Sequence, residues 1–299
     1  MKKFLLKISL LCMICIVMDV CFGRVFKFLH SNAIGGSTRN NSYILYECKS
    51  DVIILGSSRA SHHYIPRLIS EETGLSCYNC GEDGNGIILA SARYQMLVQR
   101  YHPKIIIYDL VPEFDLRYDA DNSKYLHYIK PFYSEAPIKK VVDQFTDWKT
   151  QFELVSNMYR NNATIIANII DCIIDRGKHD GYVPLYGQIS NNSAIDSPKD
   201  AVFEVDNDKY ELLDEMVDDA IKKQIKIVFV ISPTLVTGDM SRYNLVQELA
   251  ANNSIPFIDY SNCPEIVENR ELFQDEDHLN KDGATIYSHL ISTVINKYK

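Results

Sequence analysis

The sequence predicts an α/β fold: a three-layer α/β/α sandwich on a five-stranded parallel sheet, interrupted by a helical insertion. Short continuous apolar runs alternate with stretches whose apolar residues recur at helical spacing. That alternation marks strands buried on both faces beneath crossover helices. The 299 residues allow one large domain with an ample core, and 46% hydrophobic with 23% charged residues is the balance of an ordinary globular chain. A formal net charge of −8 speaks against a nucleic-acid partner, because a phosphate-tracking surface needs an excess of Lys and Arg.

The first element is a leader. "MKKFLLKISLLCMICIVMDVCFG" opens with Lys2, Lys3 and Lys7 and runs apolar from Ile8 to Gly23, broken only by Asp19. Counted from Phe4 to Phe22, it approaches the roughly 20 residues of a bilayer crossing, with Lys7 snorkelling toward the headgroups. Residues 1–23 read either as an uncleaved signal anchor or as a signal peptide cut after Gly23. Cys21-Phe22-Gly23 is a poor small-x-small cleavage site, which favours the anchor. Lys2 and Lys3 favour a cytoplasmic start, so the rest of the chain is expected outside the cytoplasm, held at the cell membrane or, if the leader is cut, secreted or periplasmic. Residues 24–50, polar and turn-rich from Ser31 to Tyr43, read as a lead-in or tether.

The main domain is expected over residues 51–299. "DVIILGS" is the first strand, followed by a helical stretch from Pro66 to Thr73. "SCYNCG" is the second, followed by the helical "GIILASARYQMLVQRY", and "KIIIYDL" is the third. After a long interruption come "IKIVFVISP", a helix near Asn244 to Asn252, "PFIDYS" and a closing helix from about Lys281 to Lys297. The interruption, about residues 111–205, carries helical patterns at Pro137 to Lys149 and Ala163 to Arg176, then a polar loop from Gly177 to Asp200. Ligands of open parallel sheets bind at the carboxyl ends of the strands, and the insertion leaves from one such end. It is expected to act as a lid or cap over substrate.

Cysteine usage gives no disulfide framework. Three of the eight lie in the leader, which leaves an odd five, Cys48, Cys77, Cys80, Cys172 and Cys263. Cys77 and Cys80 have CxxC spacing but sit on a strand, where residues three apart face opposite ways. Neither a metal nor any other cofactor is expected.

The chemistry begins where the first strand ends. "DVIILGSSRASHHY" stops at Gly56-Ser57-Ser58 and passes at once into Arg59, His62 and His63. A serine after a buried strand often only caps a turn. Near the carboxyl end, "LFQDEDHLNKDG" places Asp275 three residues before His278, just ahead of the last helix. A catalytic serine needs a neutral histidine to take its proton and a carboxylate to hold that histidine's tautomer. One loop carrying both can supply them.

Together these two stretches resemble the SGNH (GDSL-like) hydrolase superfamily, over roughly Asp51 to Asp115 and Lys226 to Lys299. The resemblance implies a flavodoxin-like sheet and a nucleophile in the G-D-S block, which falls on Ser58 here, with Asp275 and His278 as its partners. The family's second block is matched by "NCGEDG", which implies that Gly84, with Asn79 nearby, adds its backbone N–H to that of Ser58 in an oxyanion hole. Two positions depart from the pattern. Ser57 stands for the usual Asp, which is not the attacking group. The third block, Gly-x-Asn-Asp in the family, is replaced by "VPEFD", which brings Glu113 or Asp115 near the expected Asn. An ionised carboxylate cannot donate to an oxyanion, so either another donor substitutes, the enzyme is slow, or the site no longer hydrolyses. Arg59, His62 and His63 are candidate donors, or residues that only solvate a helix start.

With its amino-terminal membrane segment, the chain more closely resembles the SGNH-like proteins of bacterial envelopes. That implies a serine esterase that removes acyl groups, expected to be acetyl, from a cell-envelope or extracellular glycan, its partners being an acylated carbohydrate or another small ester. Two alternatives share the fold: an O-acyltransferase using the same serine, and a non-catalytic glycan-binding envelope protein.

Overall fold

Five strands form the sheet: β1 (Val52–Gly56), β2 (Cys77–Asn79), β3 (Ile105–Asp109), β4 (Lys226–Ile231) and β5 (Phe257–Asp259). They pair in parallel in the order β2-β1-β3-β4-β5, which puts the reversal of strand order beside β1 and the crevice at its carboxyl end. The computed structural model describes residues 1–175, 177, 180–190, 203–236 and 239–299.

The helices follow in chain order. α1 (Lys2–Asn32) and α2 (Gly36–Tyr46) precede the sheet. α3 (Ser58–His63), α4 (Pro66–Thr73) and α5 (Ile87–Val98) lie between the first three strands. The insertion contributes α6 (Pro112–Asp115), α7 (Ala136–Gln144), α8 (Trp148–Glu153), α9 (Asn157–Asn161) and α10 (Ile165–Asp171). α11 (Asn207–Lys222), α12 (Asn244–Asn252), α13 (Pro264–Val267) and α14 (Lys281–Tyr298) complete the chain.

Strand side chains alternate between two cores, as a pleated sheet requires. Val52, Ile54, Ile105, Ile107, Val228 and Val230 pack beneath α3, α4, α13 and α14. Ile53, Leu55, Ile106, Tyr108, Ile227 and Phe229 pack beneath α5, α7, α11 and α12. This is the three-layer α/β/α sandwich read from the sequence. Cys77 joins the first core and Cys80 the second, so the two thiols face opposite sides of the sheet.

The expected tether is a correction. Residues 24–50 are no lead-in: α1 continues to Asn32, and α2 packs on the second core through Ile44 and Leu45. Its polar residues turn inward and find partners far along the chain. Thr38 donates its N–H to Asp171 (3.1 Å) and its hydroxyl to Asn168 (2.9 Å), while Asn40 accepts from the Tyr78 hydroxyl (2.6 Å). A polar composition signals a loop only where water is the partner. The helix expected from Pro137 to Lys149 also breaks. α7 ends at Gln144, and the Asp147 carboxylate caps α8 by accepting the Thr150 N–H (2.8 Å). The second insertion helix is shorter than expected, Ile165–Asp171.

Of the polar loop from Gly177 to Asp200, positions 178–179 and 191–200 lie outside the described residues. The described stretch 180–190 runs along one side of the sheet's crevice. The Asp180 carbonyl accepts from Asn79 N–H (2.9 Å), and Val183 N–H donates to the Ser61 carbonyl (3.0 Å). Leu185 and Ile189 then bond to the start of α14 and the loop before it, through Lys281 N–H (2.8 Å) and the Phe273 carbonyl (2.9 Å). Gly181 makes the first contact possible. Its φ is +85°, and a Cβ there would lie 1.7 Å from the Asn79 carbonyl oxygen.

One buried ion pair stiffens the second core beside the crevice. Arg93, 1% exposed, donates to Glu82 (2.8 Å), to Asn41 (2.7 Å) and to the Cys80 carbonyl (2.8 Å), and Glu82 is 2% exposed. Arg93→Met leaves the Glu82 carboxylate buried without its cation and is expected to cost roughly 3–5 kcal/mol of unfolding free energy. Urea denaturation in mild detergent measures it. The double variant Arg93→Met/Glu82→Met should recover most of the loss.

Candidate active site

β1 must end abruptly for Ser58 to stand clear of the sheet. Gly56, the last strand residue, has φ +143°, and a Cβ there would lie 2.6 Å from the Asp109 carbonyl oxygen and 3.0 Å from the Ala60 Cβ. Only glycine fits this approach. The chain then turns through buried Ser57 and starts α3 at Ser58, whose backbone N–H is among the unpaired donors of a helix start. The Ser57 hydroxyl is buried and has no hydrogen-bond partner among the described residues.

The Asp275–His278 loop meets Ser58 from the other end of the chain. Gln274 N–H donates to the His278 carbonyl (2.8 Å), and Phe273 bridges Leu279 in antiparallel fashion, which closes the loop on itself. Asn280 then caps α14, accepting the N–H groups of Asp282 and Gly283 (both 3.1 Å). Inside the loop the Asp275 carboxylate accepts from the backbone N–H groups of Asp277 and His278 (both 2.9 Å) and faces His278 Nδ1 at 2.9 and 3.0 Å. His278 Nε2 lies 2.7 Å from Ser58 Oγ. With Asp275 ionised, Nδ1 carries the proton and Nε2 is left to accept from the serine. Partial burial by itself would raise the Asp275 carboxyl, but the hydrogen bonds from His278 and the two backbone N–H groups outweigh it and hold the pKa below its ordinary value.

The two histidines of α3 have different surroundings. His63 is fully buried, and its Nε2 accepts the Leu279 N–H (3.0 Å). Burial, helped by the charges of His278 and Arg59, pushes its pKa well below the usual histidine value, so the ring stays neutral and clamps α3 to the His278 loop. His62 lies edge-on to His278 with ring centroids 5.5 Å apart. Its Nδ1 is 2.7 Å from the Val183 carbonyl and its Nε2 3.2 Å from Asp83.

A cleft of about 770 Å³ opens in front of Ser58 and His278, within the usual range for small-molecule sites. Val111 to Phe114, Thr234 to Val236 and Tyr243 form its other walls. Arg59 lines it and donates to Asp277 (3.0 Å), which also accepts from the Thr234 hydroxyl (3.2 Å). Burial disfavours the Arg59 charge, but Tyr243, Asp277, Asp109 and Glu113 around it raise its pKa further, so the guanidinium stays protonated. Glu113 also lines the cleft and accepts from Arg242 (2.7 Å). Asp115 is buried away from it, accepting from the Tyr108 hydroxyl (2.7 Å) and the Val111 N–H (2.8 Å).

The remaining candidates stand further off. Asn79 is buried and ties β2 to α3, donating to the carbonyls of Ala60 (2.6 Å) and Tyr64 (3.2 Å) and accepting from Gly81 N–H (2.9 Å). Gly84 is exposed on the loop that carries Asp83, with φ +66°, and is not among the residues lining the cleft. Asp277, Thr234, Arg242 and Tyr243 escape the sequence reasoning. Asp277 sits inside the D-x-x-H stretch as one of its unspecified positions, and the other three carry no motif.

No family model matches the chain, and no curated protein matches it. Solved structures similar to it include an acetyl xylan esterase, 12% identical with a TM-score of 0.42 over 82% of this chain and 99% of that one. A GDSL-like lipase from Bacteroides thetaiotaomicron VPI-5482 is 12% identical, TM-score 0.41, over 83% and 88%. An alpha/beta hydrolase enzyme from the metagenome of Lake Arreo, Spain, is 13% identical, TM-score 0.41, over 85% and 99%. All three likenesses are remote.

Behind the cleft, Asp109 ends β3 fully buried, accepting the Ser232 N–H (3.3 Å), and burial raises its pKa to about 6, opposed by Arg59 and by hydrogen bonds from Ser232 and Tyr64. Unfolded, the same carboxyl ionises near 3.8. Its cost is therefore absent below about pH 4, grows as pH rises toward 6, and is constant above that. Asp109→Asn should match the parent near pH 4 and exceed it by on the order of 1–3 kcal/mol at neutral pH. Urea unfolding of both proteins across this range tests the sign. Stability curves that stay parallel would show that Asp109 ionises normally.

Proposed function

We propose that the protein is a serine ester hydrolase of the SGNH type, with Ser58 as nucleophile, His278 as general base and acid, and Asp275 as its orienting carboxylate. The observation that carries this reading is the unbroken hydrogen-bond chain from Asp275 through both ring nitrogens of His278 to Ser58 Oγ, at 2.9 and 2.7 Å. In the reaction Ser58 Oγ attacks the ester carbonyl as its proton passes to His278 Nε2. The tetrahedral intermediate collapses when His278 returns that proton to the leaving alcohol, and an acyl-serine remains. Water then attacks with His278 as base, releasing the acid and free Ser58. Asp275 stays ionised throughout and stabilises the imidazolium.

The oxyanion is assigned to the backbone N–H of Ser58 and to the Arg59 guanidinium, which stands in for the missing asparagine. Arg59 is charged, adjoins the nucleophile and lines the cleft. Glu113, which would repel an oxyanion if free, has its charge met by Arg242. This pairing favours the catalytic reading over a non-catalytic one.

The substrate is assigned as an O-acylated glycan of the cell envelope, with acetyl as the acyl group. The open cleft is far larger than an acetyl group needs and is walled by Tyr243, Pro112 and Leu235 beside charged residues. α1 is long and apolar enough to cross a membrane, and the sheet domain is assigned to the extracytoplasmic side with Lys2 and Lys3 inside.

A fluorophosphonate probe should label the full chain in membranes, and Ser58→Ala should abolish labelling. Equal labelling of the parent and Ser58→Ala would overturn the assignment. On an aryl acetate, His278→Ala should lower kcat by at least about 10³-fold. Arg59→Gln should lower kcat by roughly 10²–10³ with little change in KM if its guanidinium meets the oxyanion. A change confined to KM would make Arg59 a substrate-binding group instead.

A further inference from the structure

The insertion presents an apolar ridge that the other described residues leave uncovered. Trp148, Phe152 and Val155 are 79%, 76% and 68% exposed. Their spacing of four and then three residues puts them on one side of α8 and the turn after it. No residue of α8 is buried.

This ridge joins the place where α1 enters the domain. The residues that follow it, Ser156 to Met158, hold the Asp19 carboxylate through the Ser156 hydroxyl (2.6 Å), the N–H groups of Asn157 and Met158 (both 3.0 Å) and the Asn157 side-chain amide (3.0 Å). Beyond Asp19, α1 and the turn after it remain fixed to the insertion: Cys172 Sγ donates to the Leu29 carbonyl (3.2 Å), and Ile34 N–H to the Asp171 carbonyl (2.8 Å). Among the described residues, the part of α1 before Asp19 is exposed along its length.

With the domain held at the membrane surface, that exposed part would not reach across the full hydrocarbon layer. Between Lys3 and Asp19 lie 15 residues, about 22 Å of helix, whereas the hydrocarbon layer is roughly 30 Å thick. The shortfall of about 8 Å falls within the ~5–10 Å depth at which an interfacial helix buries its apolar face. Exposed Arg24, Lys27 and Lys149 flank the junction and suit anionic headgroups.

We infer that Trp148, Phe152 and Val155 form a second membrane contact, sunk into the outer leaflet beside α1, so that the sheet domain is seated on the bilayer. α10 also exposes isoleucines, Ile166 and Ile169, as does Ile173 just after it. It packs beside Leu29 to Ile34, about 15 Å further along α1, and is not part of this contact. The inference rests on the reading of α1 as a membrane span.

Trp148 is the sole tryptophan and reports on its own surroundings. The full chain is reconstituted in phosphatidylcholine–phosphatidylglycerol vesicles, with and without acyl-chain-brominated lipid. Trp148 emission should be blue-shifted, lose most of its intensity to brominated lipid and resist aqueous iodide. In parallel, the double variant Trp148→Phe/Leu11→Trp moves the reporter into α1. If the reporter in α1 is quenched by brominated lipid while Trp148 responds only to iodide, the span stands and the second contact is refuted. If Trp148 is shielded from both quenchers, a protein surface covers the ridge and the lipid contact is likewise refuted. If brominated lipid quenches the fluorescence of neither protein, the span reading fails and the inference fails with it.

Discussion

The hydrogen bond from Leu279 N–H to the buried Nε2 of His63 joins segments 216 residues apart in sequence. It places the loop bearing His278 over the first turn of the helix bearing Ser58, and most of the site's geometry follows. Because His63 is fully buried and kept neutral, the bond is insensitive to ordinary changes of pH. A charged ring would lose its acceptor lone pair and release the loop. Around this clamp the Asp275 carboxylate gathers backbone N–H groups from its own loop, so His278 is oriented by a local structure and positioned by a distant one.

The sheet was legible because its strands are apolar on both faces, and continuous runs such as Ile105–Ile107 leave little else to be. Helix bounds were legible where local signals act, as at Pro66 and at Asn280, which caps the last helix. α2 was not legible. Its Ser, Asn and Thr residues look like a loop until Asp171, Asn168 and Arg93 are brought against them, and no local rule brings them there. The site divides in the same way. Asp275 and His278 belong to one short loop, so their spacing carries their relation. The pairs Arg59–Asp277 and Glu113–Arg242 span 218 and 129 residues, and nothing local to either partner announces them. From sequence, the carboxylate of Glu113 is therefore an obstacle, because the charge that meets it is out of view.

The insertion links the two halves of the molecule's chemistry. One end of it, α8 to α10, grips α1 through Asp19 and the residues beyond it. Its returning end, 180–190, bonds to α3 and to the segments flanking the His278 loop. The described parts of the insertion therefore touch both α1 at one end and the helix that begins at Ser58 at the other.

The fit of Gly181 against the Asn79 carbonyl has a consequence for the protein's behaviour in a crowded compartment. β2 is an outer strand, and an unpaired strand edge is a template on which other chains can add. Asp180 takes up the Asn79 N–H, and Gly181 sits so close to the neighbouring carbonyl that no foreign backbone can approach it. The opposite edge, β5, is only three residues long, too short to offer a register. Both edges are thus three residues long, and one of them is also occupied by its own chain, so neither offers a long register on which a second copy could add a strand.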